Sequence, residues 1–95
     1  MNSSEKNITR RHIVFSGYVQ GVGFRYRAYH AAQSLGLTGW VRNEWDGTVE
    51  MEVQGEPASI NKMIVMINQG TYVMIENVDM KEIPVEEHER SFRIR

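Results

Sequence analysis

The chain has 95 residues, enough for one small domain and not for two. Eleven basic and twelve acidic side chains leave a net charge of −1, so no basic excess points to nucleic acid and no polybasic run to a membrane surface. The absence of cysteine excludes disulfides, thiol catalysis and Cys-based metal sites, and it fits a reducing, cytoplasmic setting.

Residues 1–9 are polar at the start and lack an apolar stretch, so they read as a flexible tail rather than a signal peptide or anchor. A single domain is expected over residues 10–95. Arg11 to Val19 is rich in β-branched and aromatic residues and reads as a strand. A glycine-containing turn, Gln20-Gly21-Val22-Gly23, follows. Phe24, Ala28, Ala31, Ala32 and Leu35 then keep helical spacing, and Gly36 stands where a helix-ending glycine belongs. Thr38 to Glu44 reads as a second strand, with Asp46-Gly47 as a hairpin turn. Thr48 to Gln54 alternates: Val49, Met51 and Val53 fall on one face, and Glu50, Glu52 and Gln54 on the other.

Pro57 suits the start of a second helix, and Ile60, Met63, Ile64 and Ile67 carry its apolar stripe to about Gln69. Gly70 ends it. A further strand is expected within Tyr72 to Ile83, a polar loop over Val85 to Arg90, and a short last strand over Ser91 to Arg95. The order β-α-β-β-α-β with a small extra strand predicts an α+β, ferredoxin-like sandwich with two helices on one face of the sheet.

The junction at Gly17 to Arg25 carries the chemistry. A strand–glycine turn–helix connection leaves backbone N–H groups free at the helix start, where the helix dipole favours an anion. Arg25 brings a planar cation that fits phosphate or carboxylate. A cation in the first helical turn opposes the dipole, which makes better sense if an anion joins it. The turn has neither the Lys-Ser/Thr pair of a P-loop nor three dinucleotide-fingerprint glycines. Local reasoning also allows an ordinary tight connection. Asn43, on the face of Val41 and opposite Arg42, reads by itself first as a hairpin residue.

Three segments taken together decide more: Gly-Tyr-Val-Gln-Gly-Val-Gly-Phe-Arg (Gly17 to Arg25), Gly36 to Asn43 with its Gly-Trp-Val-Arg-Asn ending, and Asp46 to Glu50. In order and spacing they closely resemble the acylphosphatase family, from about Arg11 to the C-terminus and most strongly up to Gly55. The resemblance implies a ferredoxin-like fold and hydrolysis of the carboxyl–phosphate bond of acyl phosphates to a carboxylate and inorganic phosphate. It implies phosphate binding by Gln20, Gly21, Val22, Gly23, Phe24 and Arg25, with Arg25 and Asn43 catalytic and Asn43 positioning the attacking water. No metal or organic cofactor is implied. Inorganic phosphate is expected as product and competitive inhibitor, and the protein as a cytoplasmic monomer with no nucleic-acid or membrane partner. One departure stands out: Gly70-Thr71-Tyr72 replaces the Gly-Pro common in the family after the second helix.

His12, His30 and His88 have no metal-ligand spacing. Glu86, Glu87 and Glu89 read as a solvated acidic run. Met63, Met74 and Met80 read as core or partial core. Two rivals share the fold: a phosphate-binding module without turnover, and an RNA-binding domain. The second would want a basic sheet surface, whereas Glu50 and Glu52 make this one acidic.

Overall fold

The computed structural model describes residues 7–95. The elements are β1 (Thr9–Tyr18), α1 (Phe24–Leu35), β2 (Thr38–Asn43), β3 (Val49–Gly55), α2 (Pro57–Asn68), β4 (Met74–Ile83) and β5 (Phe92–Ile94). The strands form one sheet in the order β4-β1-β3-β2-β5; all neighbours are antiparallel except β2 and β5, which are parallel. The expected β-α-β-β-α-β sandwich, with its extra strand, is therefore the fold.

Both helices lie on one face. Phe24, Ala28, Ala31 and Ala32 of α1 and Ile60, Met63 and Ile67 of α2 are buried against Ile13, Phe15, Val41, Val49, Met51 and Val53 of the sheet. The strict alternation of β3 matches its burial residue by residue. The Phe15 and Phe24 rings pack tilted at 60°, with 4.9 Å between their centres. Burying a side chain of this size stabilises by about 1.5–3 kcal/mol, and the aromatic pairing adds about 0.5–1.5 kcal/mol. This pair fixes the start of α1 to the middle of β1, and so fixes the turn between them.

Gly39 explains part of the Gly-Trp-Val-Arg-Asn pattern. Its φ is 137°, and a Cβ there would overlap the Glu52 carbonyl oxygen of β3. Only glycine lets β2 approach β3 at this point.

Several expectations change. β1 begins at Thr9, two residues earlier than the pattern suggested, with Thr9 and Arg10 both buried. Of the proposed tail, residues 1–6 lie outside the described residues, and Asn7 and Ile8 are exposed and outside any helix or strand. Arg10 is only 2% exposed because it is enclosed by partners distant in sequence: Glu52 at 2.9 Å and Glu89 at 2.7 Å. Glu89 is thus an ion-pair partner, not a solvated residue. β4 and β5 occupy opposite edges, so their connection crosses the face the helices leave open. Gln54 grips it there through both backbone groups of Glu86, at 3.0 and 2.8 Å. Trp40 is buried on that face, with the Arg42 and Arg95 guanidiniums over its ring. Met63 is core, but Met74 is 55% exposed because β4 is an edge strand. Arg27 donates to the Met66 carbonyl near the end of α2, and the bare Cα of Gly70 gives its side chain room.

The open face also holds a pH-sensitive group. His12 Nε2 lies 2.6 Å from Glu50, and Arg42 bridges Glu50 and Glu44. The His12 hydrogen bond leads, with Arg42 adding, and outweighs burial to hold the Glu50 carboxyl below its ordinary range. Its native pKa lies below its unfolded one. The stabilisation is therefore complete above the usual glutamate pKa and is lost as pH falls through the lower native value. Urea midpoints measured against pH should drop less steeply on the acid side for Glu50→Gln than for the parent. For a partly exposed pair the difference should be about 1 kcal/mol or less. Identical acid limbs would remove Glu50 from the account.

Candidate active site

The turn after β1 is shaped by its glycines. Gly21 and Gly23 have φ of 72° and 81°, in the left-handed region that costs a residue with a Cβ. Nothing lies within 4 Å of where either Cβ would stand, so backbone hand and open approach, not crowding, favour glycine here. Gly23 is the residue before α1 and offers no capping side chain; no acidic residue occupies the first turn. The first hydrogen bond of the helix runs from Arg27 N–H to the Gly23 carbonyl at 3.0 Å. The N–H groups of Phe24, Arg25 and Tyr26 therefore have no acceptor within the helix. They point, with the positive end of the helix dipole, out of its N-terminus.

Arg25 is half-buried beside them and makes no ion pair with a described residue. Arg10 and Arg42 are engaged with carboxylates, and Arg27 with a helix carbonyl. Across the cleft stands Asn43, the last residue of β2. Its Oδ1 is buried and has no hydrogen-bond partner among the described residues. An unmatched buried acceptor costs about 1–3 kcal/mol, a cost that a donor held in the cleft would offset. Val19, Gly21, Gly23, Phe24, Arg25, Tyr26, Asn43 and Ile94 line this cleft of about 280 Å³. Clefts of about 410 Å³ by Trp40 and the crossing loop, and about 430 Å³ beside α1, are larger. Volume does not select among them. Free helix N–H groups, an unpaired cation and an unmatched amide oxygen meet in the smaller one.

A sequence model of the acylphosphatase family matches residues 11–94. The chain belongs to the acylphosphatase family. It is 42% identical over 86 residues to an acylphosphatase of Geobacillus thermodenitrificans, covering 90% of this chain and 92% of that one. It is 45% identical over 89 residues to one of Acaryochloris marina, covering 93% and 95%. The solved structure of an acylphosphatase from Coxiella burnetii superposes with a TM-score of 0.84 at 41% identity, covering the whole of both chains.

Within this acylphosphatase fold, the residues singled out from sequence are only partly brought together. Gly21, Gly23, Phe24, Arg25 and Asn43 line one cleft. Val22 packs against the core, and the Gln20 side chain turns to the β2–β3 hairpin. Tyr26 and Ile94 were not foreseen. Tyr26 follows from helix geometry, since it is the third residue of α1. Ile94 enters because β5 runs parallel to β2 with Ile94 opposite Val41, and the Arg95 N–H holds the Val41 carbonyl at 2.9 Å. No local signal in the last five residues announces that pairing. Among the described residues no cluster of three His, Cys, Asp or Glu side chains could hold a metal, and no helix is long and apolar enough to cross a membrane.

Proposed function

We propose that the turn from Gly21 to Arg25 holds the phosphoryl group of an acyl phosphate and that Asn43 aligns the attacking water. The protein is an acylphosphatase by family: the bond broken joins a carboxyl oxygen to phosphorus, and the products are a carboxylate and inorganic phosphate. The single observation that carries the site assignment is the meeting of Arg25, the open N-terminus of α1 and the unmatched Asn43 Oδ1 in one cleft.

The chemistry asks little of acid or base groups. The departing carboxylate is a stable anion and takes the electron pair of the broken O–P bond without needing a proton. The site has to hold the phosphoryl oxygens and place a water in line behind phosphorus. Arg25 and the N–H groups of the first helical turn supply charge and direction to the three phosphoryl oxygens. Asn43 accepts a hydrogen bond from the water and points its lone pair at phosphorus. The water's proton passes to a phosphoryl oxygen as the new bond forms. Gly21 and Gly23 let the phosphate approach the backbone. No step in this scheme runs through a metal or organic cofactor. The cleft grips the phosphoryl end, so it accepts acyl groups of various shapes. We further read the protein as a cytoplasmic monomer; its lack of cysteine fits a reducing compartment.

Hydrolysis of benzoyl phosphate tests the reading directly. Turnover should persist after exhaustive chelation, and inorganic phosphate should inhibit competitively. Turnover lost to chelator and restored by a divalent ion would overturn the scheme. So would purely noncompetitive inhibition. Phosphate binding without any turnover would identify a binding module instead.

A further inference from the structure

Gln20 sits at the start of the phosphate turn, between Val19 and Gly21, which both line the cleft. Its side chain nevertheless leaves the cleft. The Nε2 group donates to two backbone carbonyls, Glu44 at 2.7 Å and Thr48 at 2.8 Å. These residues face each other at the base of the β2–β3 hairpin, where the Glu44 N–H also donates to the Thr48 carbonyl at 2.9 Å. Glu44 directly follows Asn43. Thr48 directly precedes Val49, the residue paired with Asn43 across the ladder. One amide nitrogen therefore ties both strands of the hairpin at the step next to Asn43. Among the described residues, these are the side-chain hydrogen bonds that join the turn to the hairpin.

The residue type suits the task. Two protons on a single nitrogen can satisfy two carbonyl oxygens at once. An ionised glutamate has none and would set a negative charge against both carbonyl dipoles. A methionine of similar length would fill the space with no donor.

We propose that Gln20 is a positioning residue for hydrolysis: it fixes the separation between the phosphoryl-holding turn and the water-aligning Asn43. The proposal rests on the role given above to Asn43. The two halves of the site come from different parts of the chain: the turn belongs to β1 and α1, and Asn43 to β2. β1 and β2 are not neighbours in the sheet, because β3 lies between them. The sheet alone thus leaves an indirect path between the two groups. Gln20 supplies a direct one. Alignment of reacting atoms is demanding, and a displacement of about 1 Å can cost about a hundredfold in rate.

The test uses the full chain, benzoyl phosphate as substrate and inorganic phosphate as the binding probe. Gln20→Met should lower kcat by about 10- to 100-fold. The inhibition constant for phosphate should stay within about twofold of the parent, because the residues that hold phosphate are untouched. In an Asn43→Ala background, Gln20→Met should cost nothing further, since the group it positions is gone. Gln20→Glu supplies a second readout and covers the case in which the methionine variant does not fold. Its activity relative to the parent should be low at neutral pH and should rise toward the glutamate range, where a protonated carboxyl regains one donor.

A folded Gln20→Met with parental kcat, alongside a collapsed Asn43→Ala, would overturn this proposal alone. Parallel losses in kcat and phosphate affinity would overturn it too, moving Gln20 into the phosphate site. A Gln20→Glu variant matching the parent at every pH would do the same. Ordinary turnover in Asn43→Ala would instead sink the reading of Asn43, and that single control tells the two failures apart.

Discussion

Asn43→Ala is expected to bind inorganic phosphate nearly as well as the parent while its turnover falls by on the order of 10²–10³, the scale seen when one positioned polar group is taken from a reacting site. The separation of binding from chemistry follows from geometry. In the proposed site phosphate would be held from the α1 side, by Arg25 and the open helix terminus, whereas Asn43 lines the same cleft from the end of β2. The backbone of Asn43 stays in register with Val49, so alanine leaves the strand in place. Stability should not suffer either. The amide oxygen has no hydrogen-bond partner among the described residues, so its removal breaks no bond to them. Circular dichroism would check the fold, phosphate titration the binding half, and benzoyl phosphate hydrolysis the chemistry. A folded variant with ordinary turnover would refute the water-aligning role. Equal losses of affinity and turnover would move Asn43 into phosphate binding.

Arg25→Lys is expected to lose most of its activity and to bind phosphate more weakly, with the fold intact. Lysine keeps the charge but gives up the planar fork that can meet two phosphoryl oxygens together. Each charge-assisted hydrogen bond is worth roughly 1.5–3 kcal/mol, so one lost bond means at least about a tenfold effect. A stability measurement sharpens the case. Arg25 is the second residue of α1, where a positive charge opposes the helix dipole at a cost of about 0.3–1 kcal/mol. Arg25→Gln should therefore denature at the same or a slightly higher temperature in phosphate-free buffer, and phosphate should stabilise it less than it does the parent. Near-native turnover in Arg25→Lys would take Arg25 out of the mechanism.

Much of this molecule is written locally. The stripe Phe24, Ala28, Ala31, Ala32 needs only a helical period to be seen, and Gly36 closes α1 where expected. β3 advertises itself by alternation, and α2 by Pro57 and its isoleucines. Arg25 and Asn43 could be named because they lie within compact motifs. What stayed hidden depends on partners far along the chain. Arg10 looks like a surface residue until Glu52 and Glu89 enclose it. Val78 and Met80 share the core-facing side of β4 yet remain over a third exposed, because an edge strand extends past the helices. Gln20, from its position, belongs with the phosphate binders. Only the fold reveals that its amide reaches two carbonyls more than twenty residues away. Ile94 reaches the cleft through a parallel pairing whose register no pattern in a three-residue strand can set.

The position of β1 in the sheet bears on how the chain comes to be folded at all. The strand made first has β3 on one side and β4 on the other, and Arg10 is matched with Gln54 and Ile83. Neither pairing can form until most of the chain exists. Long loops must close before these contacts repay their entropy, which makes such a topology slow to fold for its size. During synthesis, Ile13 and Phe15 wait with both edges of their strand unpaired. A chain interrupted before β4 would offer one of those edges to any neighbouring strand, the usual route to aggregation. The charged edge that β4 presents, with Glu76, Asp79, Lys81 and Glu82 all exposed, closes that route only once the last long strand has docked.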